Sequence, residues 1–276
     1  MIKDIIVNLS VGERPGPASE YAISVAAAFN AHLAGLAFVY DPIVPVSGAG
    51  YIPADVIETQ ERENAAASKA ALDRFTAACE RAGIAAEPLT LSASLAGVGD
   101  QFSHIARRFD LSIVGQAEPD RSAVEEVIAE AALFQSGRPI IIVPYIQKGP
   151  LKLDRVMLCW DGSRAATRAI ADAMPLLRKA GKVEVVIVSN ERGKLDEIEG
   201  ADMAQHLARH GLEVEVKRTV LGDIDVADVI LSHAADAGVD FIVMGGYGHS
   251  RLREFVLGGV TRSILQSMTA PVLMSH

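Results

Sequence analysis

The sequence predicts an α/β protein of two tandem domains, each a five-stranded parallel sheet flanked by helices in a doubly wound arrangement. Three observations predict it: short apolar runs alternate with helical patterns, the runs are continuous, and their order occurs twice in the chain. A parallel connection needs a crossover, and continuous apolar runs are typical of strands covered on both faces. The length of 276 residues fits two domains of ordinary size.

The repeat is visible in three pairs of apolar segments that follow one another in the same order in both halves. Residues 5–9 match 156–160, residues 110–115 match 240–245, and residues 139–143 match 271–274. The segment 148–150, Lys-Gly-Pro, is the natural linker, so the predicted domains are 1–147 and 151–276.

Helical patterns lie between the predicted strands. Besides two alanine-rich segments at 19–30 and 163–179, they cover about 55–82, 95–108, 120–135, 196–210, 223–237 and 260–269. Gly83 and Gly211 stand where the end of a helix favours a left-handed residue. The Pro- and Gly-containing stretch 41–53 is predicted to be a surface loop.

Composition excludes several classes of protein. A net charge of −9 disfavours non-specific binding to nucleic acid or to anionic membranes. Two cysteines cannot form a disulfide framework, and no apolar run reaches the length of about 18 residues that a bilayer requires. Because the first residues lack the basic region of a signal peptide, we expect a cytoplasmic protein with no membrane partner.

Candidate ligand-binding residues follow the predicted strands of the second half, at the edge where open parallel sheets bind ligands. Asp161, Gly162 and Ser163 follow the first strand, and Val188 ends the second. Five glycines then fall within fifteen residues after the fourth strand: Gly245, Gly246, Gly248, Gly258 and Gly259. Glycine lets the backbone approach a ligand closely, and N–H groups at a helix start suit phosphate. Taken alone, such a glycine run can equally be a strand end and a helix cap without a ligand.

The spacing Gly245-x2-Gly248-x9-Gly258 resembles the nucleotide-binding signature of the universal stress protein family. Asp161-Gly162-Ser163 after the first strand and Met244-Gly245 closing the fourth also resemble that family, and the likeness extends over the whole chain. The resemblance implies a tandem member with strand order 3-2-1-4-5 in each domain. It also implies ATP, alone or with Mg²⁺, at the carboxyl edge of the second sheet.

The resemblance further implies a role for each matching residue. Asp161 and the backbone of Val188 would face adenine and ribose, and Gly245, Gly248 and His249 would surround the ribose and first phosphates. The outer phosphates would be held by backbone N–H groups and one hydroxyl of Gly258, Gly259, Val260 and Thr261. The family usually carries Ser or Thr where this protein has Gly259, so one hydroxyl is missing unless Thr261 supplies it.

The first half lacks the motif. Gln116 aligns with Gly246, Glu118 with Gly248 and Ser10 with Asp161. Carboxylates at Glu118 and Asp120 would repel phosphates, so we expect no ATP there and a structural role instead. A separate, more apolar ligand beside the 41–53 loop is the alternative. The last strand of each half would otherwise lie at an exposed edge, so we expect the two to pair antiparallel as an intramolecular pseudo-dimer, with a homodimer left open.

Other chemistry finds little support. The sequence has neither the P-loop spacing nor a GxSxG elbow, and Ser163 is better explained as a helix N-cap. His206 and His210 have the spacing of zinc ligands on one helix but no third ligand nearby, so two solvated histidines are expected and no metal site is predicted.

The predicted function is therefore adenine-nucleotide binding in a stress-response regulatory protein with an unidentified protein partner. The alternatives are a scaffold or small-ligand-binding protein without nucleotide, and an enzyme of the adenine-nucleotide α/β group. Because the sequence shows no positioned general base, we expect that the protein is not an enzyme. Weak ATP hydrolysis is left open.

Overall fold

A computed structural model of the protein describes residues 1–11, 16–42, 53–118, 124–189, 197–220, 224–246 and 259–276. Strands and helices alternate through both halves. The first half contains β1 (Asp4–Asn8), α1 (Pro17–Phe29), β2 (His32–Tyr40), α2 (Ala54–Arg81), β3 (Ala86–Ala93), α3 (Val98–Ala106), β4 (Leu111–Gly115), α4 (Val124–Gln135) and β5 (Ile140–Val143). The second half contains β6 (Arg155–Cys159), α5 (Arg164–Leu177), β7 (Lys182–Ser189), α6 (Glu197–Arg209), β8 (Val214–Val220), α7 (Val226–Ala237), β9 (Phe241–Gly245), α8 (Gly259–Ser267) and β10 (Val272–Ser275).

The strands form one ten-stranded sheet with the order β3-β2-β1-β4-β5-β10-β9-β6-β7-β8. Within each half the order is the predicted 3-2-1-4-5, and neighbouring strands are parallel. Between the halves, β5 and β10 pair antiparallel, with Leu273 opposite Ile141. The predicted fold class and the predicted pairing of the two last strands are therefore confirmed, and a single sheet runs through both copies.

The strand register is the same in both copies. Val7 of β1 lies opposite Ile113 of β4, and Leu158 of β6 lies opposite Val243 of β9. The sequence repeat aligns Val7 with Leu158 and Ile113 with Val243, so equivalent residues are paired in the two copies. Any position of the first copy can therefore be compared directly with its counterpart in the second.

Helices cover both faces of the sheet. Side chains of α1, α2, α5 and α6 pack on one face, and side chains of α3, α4, α7 and α8 pack on the other. The apolar strand residues between them are almost fully buried, as continuous apolar runs predicted. Gly83 and Gly211 follow α2 and α6 with φ of +69° and +81°, which confirms the left-handed ends expected for these helices.

Candidate functional site

The carboxyl ends of β6, β7 and β9 lie at one edge of the sheet because these strands are parallel neighbours. This edge brings together Asp161 after β6, Val188 in β7, and Met244 and Gly245 at the end of β9. The start of α8 contains Gly259, Val260 and Thr261. Three further residues predicted for the site, Gly248, His249 and Gly258, lie outside the described residues. The structure thus confirms that the described strand-end residues share an edge, and their nucleotide contacts stay a prediction.

The turn after β6 begins a helix. Gly162 has φ of +72°, a left-handed conformation that suits glycine. The backbone N–H of Ser163 donates to Oδ1 of the exposed Asp161 over 2.9 Å. The hydroxyl of Ser163 accepts from the N–H of Ala166 over 3.1 Å, so the predicted N-cap is confirmed. The Asp161 side chain therefore shapes this turn as well as lying at the edge.

Gly245 lets the start of α5 touch the end of β9. A Cβ on Gly245 would lie 2.5 Å from the amide nitrogen of Ala166 and 2.6 Å from the carbonyl carbon of Ala165. The gap between these two segments has no room even for a methyl group. Glycine is required here for contact of backbone with backbone inside the protein, whether or not a ligand is bound.

The first turn of α8 has an exposed face and a buried face. Among the described residues, no atom would lie within 4 Å of a Cβ on the exposed Gly259, and Val260 is 38% exposed. Thr261 is only 3% exposed, and Ile264, one turn further along, is fully buried. The hydroxyl of Thr261 therefore lies on the packed side of α8, which disfavours the expectation that it replaces the hydroxyl missing at Gly259.

Two residues beside Asp161, Cys159 and Trp160, were not predicted as part of this edge. Burial, and secondly the negative charge of Asp161, raise the pKa of the Cys159 thiol to about 12. Trp160, the single tryptophan of the sequence, lies between them, and its indole Nε1 is buried without a hydrogen-bond partner among the described residues. Their position next to the aspartate was the available signal. Trp160 is a natural fluorescent reporter for this edge.

Gly246 connects the site to the first copy. Its N–H donates to the carbonyl of Ser275 over 2.8 Å, and its carbonyl lies 3.1 Å from Nδ1 of His276. The side chain of Leu133, from α4, packs against the Cα of Gly246, since a Cβ there would lie 2.7 Å from Cδ2 of Leu133. The sequence aligned Gly246 with Gln116 but gave no sign of this contact.

The corresponding edge of the first copy is built differently. The buried Gln116 donates from Nε2 to the carbonyls of Leu265 and Gln266 in α8, over 2.8 and 3.1 Å. Its Oε1 accepts from the N–H of Tyr145 over 3.2 Å. A side chain thus closes the strand end where the second copy has glycine. Asp120 lies outside the described residues, so the expectation of carboxylates against phosphates remains a prediction.

Near the opposite edge of the second copy, a buried carboxylate has two partly exposed partners. Glu184 in β7 is 1% exposed, and its carboxylate lies 2.8 Å from Nε2 of His233 in α7 and 3.9 Å from a guanidinium nitrogen of Arg155. At the amino edge of the first copy, His32 lies 2.7 Å from Asp4 and 3.2 Å from Glu87, and all three side chains are substantially exposed. Both groups lie at the amino ends of strands, away from the candidate site.

The structure also describes the two histidines whose spacing resembles that of zinc ligands. The rings of His206 and His210 are exposed and have centroids 4.9 Å apart. Within the described ranges, no three His, Cys, Asp or Glu side chains come close enough together to hold a metal ion. Nor do those ranges contain a helix long and apolar enough to cross a membrane.

Comparison with known proteins identifies relatives by sequence. A model of the universal stress protein family matches residues 152–276. Universal stress protein YxiE of Bacillus subtilis is 28% identical over 144 residues, which cover 44% of this chain and 97% of that protein. A universal stress protein of Synechocystis is 27% identical over 138 residues, covering 49% of this chain and 46% of that protein.

Solved structures resemble both halves together. The crystal structure of a universal stress protein from Archaeoglobus fulgidus has a TM-score of 0.72 and 18% sequence identity, covering 99% of this chain and 96% of that one. A putative universal stress protein from Pseudomonas aeruginosa has a TM-score of 0.65 and 13% identity, covering 99% and 93%. At these identities the likeness shows the fold, which in both cases extends over the two halves of this protein.

Proposed function

We propose that the C-terminal copy, in which residues 152–276 match the model of the universal stress protein family, binds an adenine nucleotide, with ATP as the expected ligand. The N-terminal copy has a structural role in this proposal. The protein acts by binding, and passes the nucleotide state to an unidentified protein partner rather than turning ATP over.

One observation carries the proposal: the helices that begin at the two candidate edges start with opposite charge character. The first turn of α8 contains no acidic residue, and no described atom outside its own chain neighbours would contact a Cβ on Gly259. The first turn of α4, its counterpart in the first copy, contains Glu125 and Glu126. Because a helix start favours anions through its unpaired N–H groups and its dipole, α8 suits phosphate, whereas the two acidic residues at the start of α4 disfavour it.

The residues present fit a nucleotide in their donor types. Backbone N–H groups at the start of α8 would hold phosphate oxygens, and Asp161 would accept from ribose hydroxyls at the neighbouring strand end. The nucleotide would supply a polyanion and an aromatic base. In this proposal the protein's own contribution is to orient and hold the nucleotide.

The test is a gain of affinity at Gly259. In Gly259→Ser the added hydroxyl restores the donor that the family usually carries, and the structure leaves room for it. One additional hydrogen bond to a charged oxygen is expected to tighten ATP binding about fivefold to tenfold in isothermal titration calorimetry. Gly259→Ala is the matched control, since it adds the Cβ without the hydroxyl and should leave affinity near that of the wild type.

Further experiments test whether the protein binds adenine nucleotide and where. Protein purified and denatured should release adenine nucleotide, and Gly248→Glu, which imitates Glu118 of the first copy, should abolish binding while leaving the unfolding temperature unchanged. Absence of both released nucleotide and any thermal shift with Mg-ATP would contradict the proposal and favour the scaffold function. Turnover of labelled ATP well above background would contradict the view that the protein only binds.

A further inference from the structure

Gly246 is the last described residue before the glycine-rich segment 247–258, and it is held firmly at that point. Its N–H is part of the sheet through Ser275. Its carbonyl accepts from Nδ1 of His276, the last residue of the sequence, over 3.1 Å. A carbonyl can only accept, so this contact requires the proton on Nδ1. The direction in which the backbone leaves β9 is thereby set on the side of the second copy.

The first copy also contacts Gly246, through the side chain of Leu133. Cδ2, Cδ1 and Cγ of Leu133 would lie 2.7, 3.1 and 3.2 Å from a Cβ on Gly246, so the leucine side chain occupies the space that such a Cβ would need. Leu133 is 3% exposed and lies in α4. The next residue, Phe134, has its ring centroid 5.1 Å from that of His276 at an interplanar angle of 79°. Leu133 therefore packs against Gly246, and the neighbouring Phe134 contacts the ring of His276.

The counterpart of this contact in the other copy does not have the same construction. There Gln116 takes the position of Gly246 and bonds to the backbone carbonyls of Leu265 and Gln266, at the end of α8. Leu265 is the counterpart of Leu133, and it accepts from the Gln116 side chain through its carbonyl. At Gly246 the second copy has no side chain of its own, and the Leu133 side chain occupies the space where a Cβ would lie.

We infer that Leu133 is a positioning residue of the candidate nucleotide site, contributed by the N-terminal copy to the C-terminal one. It fixes the backbone at Gly246, and through it the point from which residues 247–258 start. Since a preorganised backbone binds its ligand without an ordering cost, nucleotide affinity in the second copy depends on the packing of the first. This inference rests on the proposed function, and it gives the first copy a defined part in binding without a nucleotide of its own.

The test is a double-mutant cycle between Leu133 and Gly246. Leu133→Ala removes the contact, and Gly246→Ala introduces a Cβ into occupied space; each is expected to weaken ATP binding about tenfold. In the double variant the new Cβ enters the space that the leucine has left, so affinity should return to within about threefold of the wild type. Rescue of this kind is not expected from two changes that merely destabilise the fold.

Ile128→Ala is the matched control, because Ile128 is a fully buried residue of the same helix. It should lower the urea midpoint as Leu133→Ala does, yet leave ATP affinity within about twofold of the wild type. Additive losses in the double variant, or an equal loss of affinity in Ile128→Ala, would overturn the positioning role.

Amide hydrogen exchange separates this inference from the proposed function, because it needs no nucleotide. Exchange of peptides that cover Gly246 and residues 275–276 should be faster in Gly246→Ala and return to the wild-type rate in the double variant. If the wild type binds no ATP while this exchange pattern holds, the proposed function fails and the contact between the copies stands. If ATP binds and neither affinity nor exchange is coupled, the inference alone fails.

Discussion

The two copies share one strand register and differ in what lies at the ends of their strands. Gly115 and Gly245 end β4 and β9 at equivalent positions. Among the described residues, a Cβ on Gly115 would meet only the Cβ of Ala18 at 3.8 Å, whereas a Cβ on Gly245 would collide with the backbone of α5. The next residue is Gln116 in the first copy and Gly246 in the second. The comparison shows that the same topology can place a hydrogen-bonding side chain at this strand end or a glycine that is packed by neighbouring residues.

The opposite edges differ in the reverse sense. Ala34 lies beside Ile6 in the first copy, and Glu184 lies beside Met157 at the equivalent place in the second. Ser103 of α3 corresponds to His233 of α7, so an alanine and a serine stand where the second copy has the buried Glu184 and its partner His233. Burying a carboxylate has a desolvation cost that its partners must offset. The second copy therefore combines glycines at one end of its strands with a buried carboxylate near the other.

The largest expected effect is on stability, at the paired strand ends. Gly245→Ala forces a methyl group to within 2.5 Å of backbone that cannot move as a side chain would, and should lower the free energy of unfolding by about 3 kcal/mol. Gly115→Ala has room for the methyl group and should change it by less than about 1 kcal/mol, in either direction. Urea unfolding followed by circular dichroism measures both. Equal effects would show that the two strand ends are packed alike.

The contact between Glu184 and His233 gives the next largest effect. His233→Ser removes the closer of the two partners of the Glu184 carboxylate and leaves Arg155 at 3.9 Å. The free energy of unfolding should fall by about 2 kcal/mol. The double variant Glu184→Ala/His233→Ser reproduces Ala34 and Ser103 of the first copy. It should recover at least half of that loss, because no buried charge is left unpaired. A double variant less stable than His233→Ser would contradict this account.

The fold could be predicted from the sequence because its signals are local or repeated. Apolar runs, turn glycines and alanine-rich helices recur in the same order, so each half supported the assignment of the other. Helix bounds were close: the pattern predicted about 120–135 for α4, and the described helix covers Val124–Gln135. Ser163 was identified as an N-cap because capping depends on the next three residues alone.

The candidate site was predictable only as an edge. Parallel strands bring Asp161, Val188 and Gly245 together whatever the side chains do. The contacts between Leu133 and Gly246 and between Glu184 and His233 join residues far apart in sequence, and no local pattern indicates them. Thr261 is a different case. The spacing of Thr261, Ile264 and Met268 places all three on one helical face, so its burial could have been inferred from period alone.

The smallest expected effect distinguishes the outer strands of the two copies. Glu215 in β8 and Glu87 in β3 occupy equivalent positions, beside Glu184 and Ala34. Hydrogen bonds from Lys182 and then Lys217 lower the pKa of Glu215 to about 2, whereas Glu87 has His32 as its partner at 3.2 Å. A carboxylate with a lowered pKa stabilises the fold above its ordinary pKa, and that contribution is lost as pH falls through the lowered value.

The difference in stability between wild type and Glu215→Gln should therefore be constant above about pH 4.5 and shrink as pH falls toward 2. Because both lysines and the carboxylate are partly exposed, the effect is small and should weaken further in high salt. Urea midpoints at several pH values measure it, with Glu87→Gln as the matched control from the first copy. The same pH dependence in both variants would show that the two lysines do not set it, and that the outer strands of the two copies are electrostatically equivalent despite their different partners.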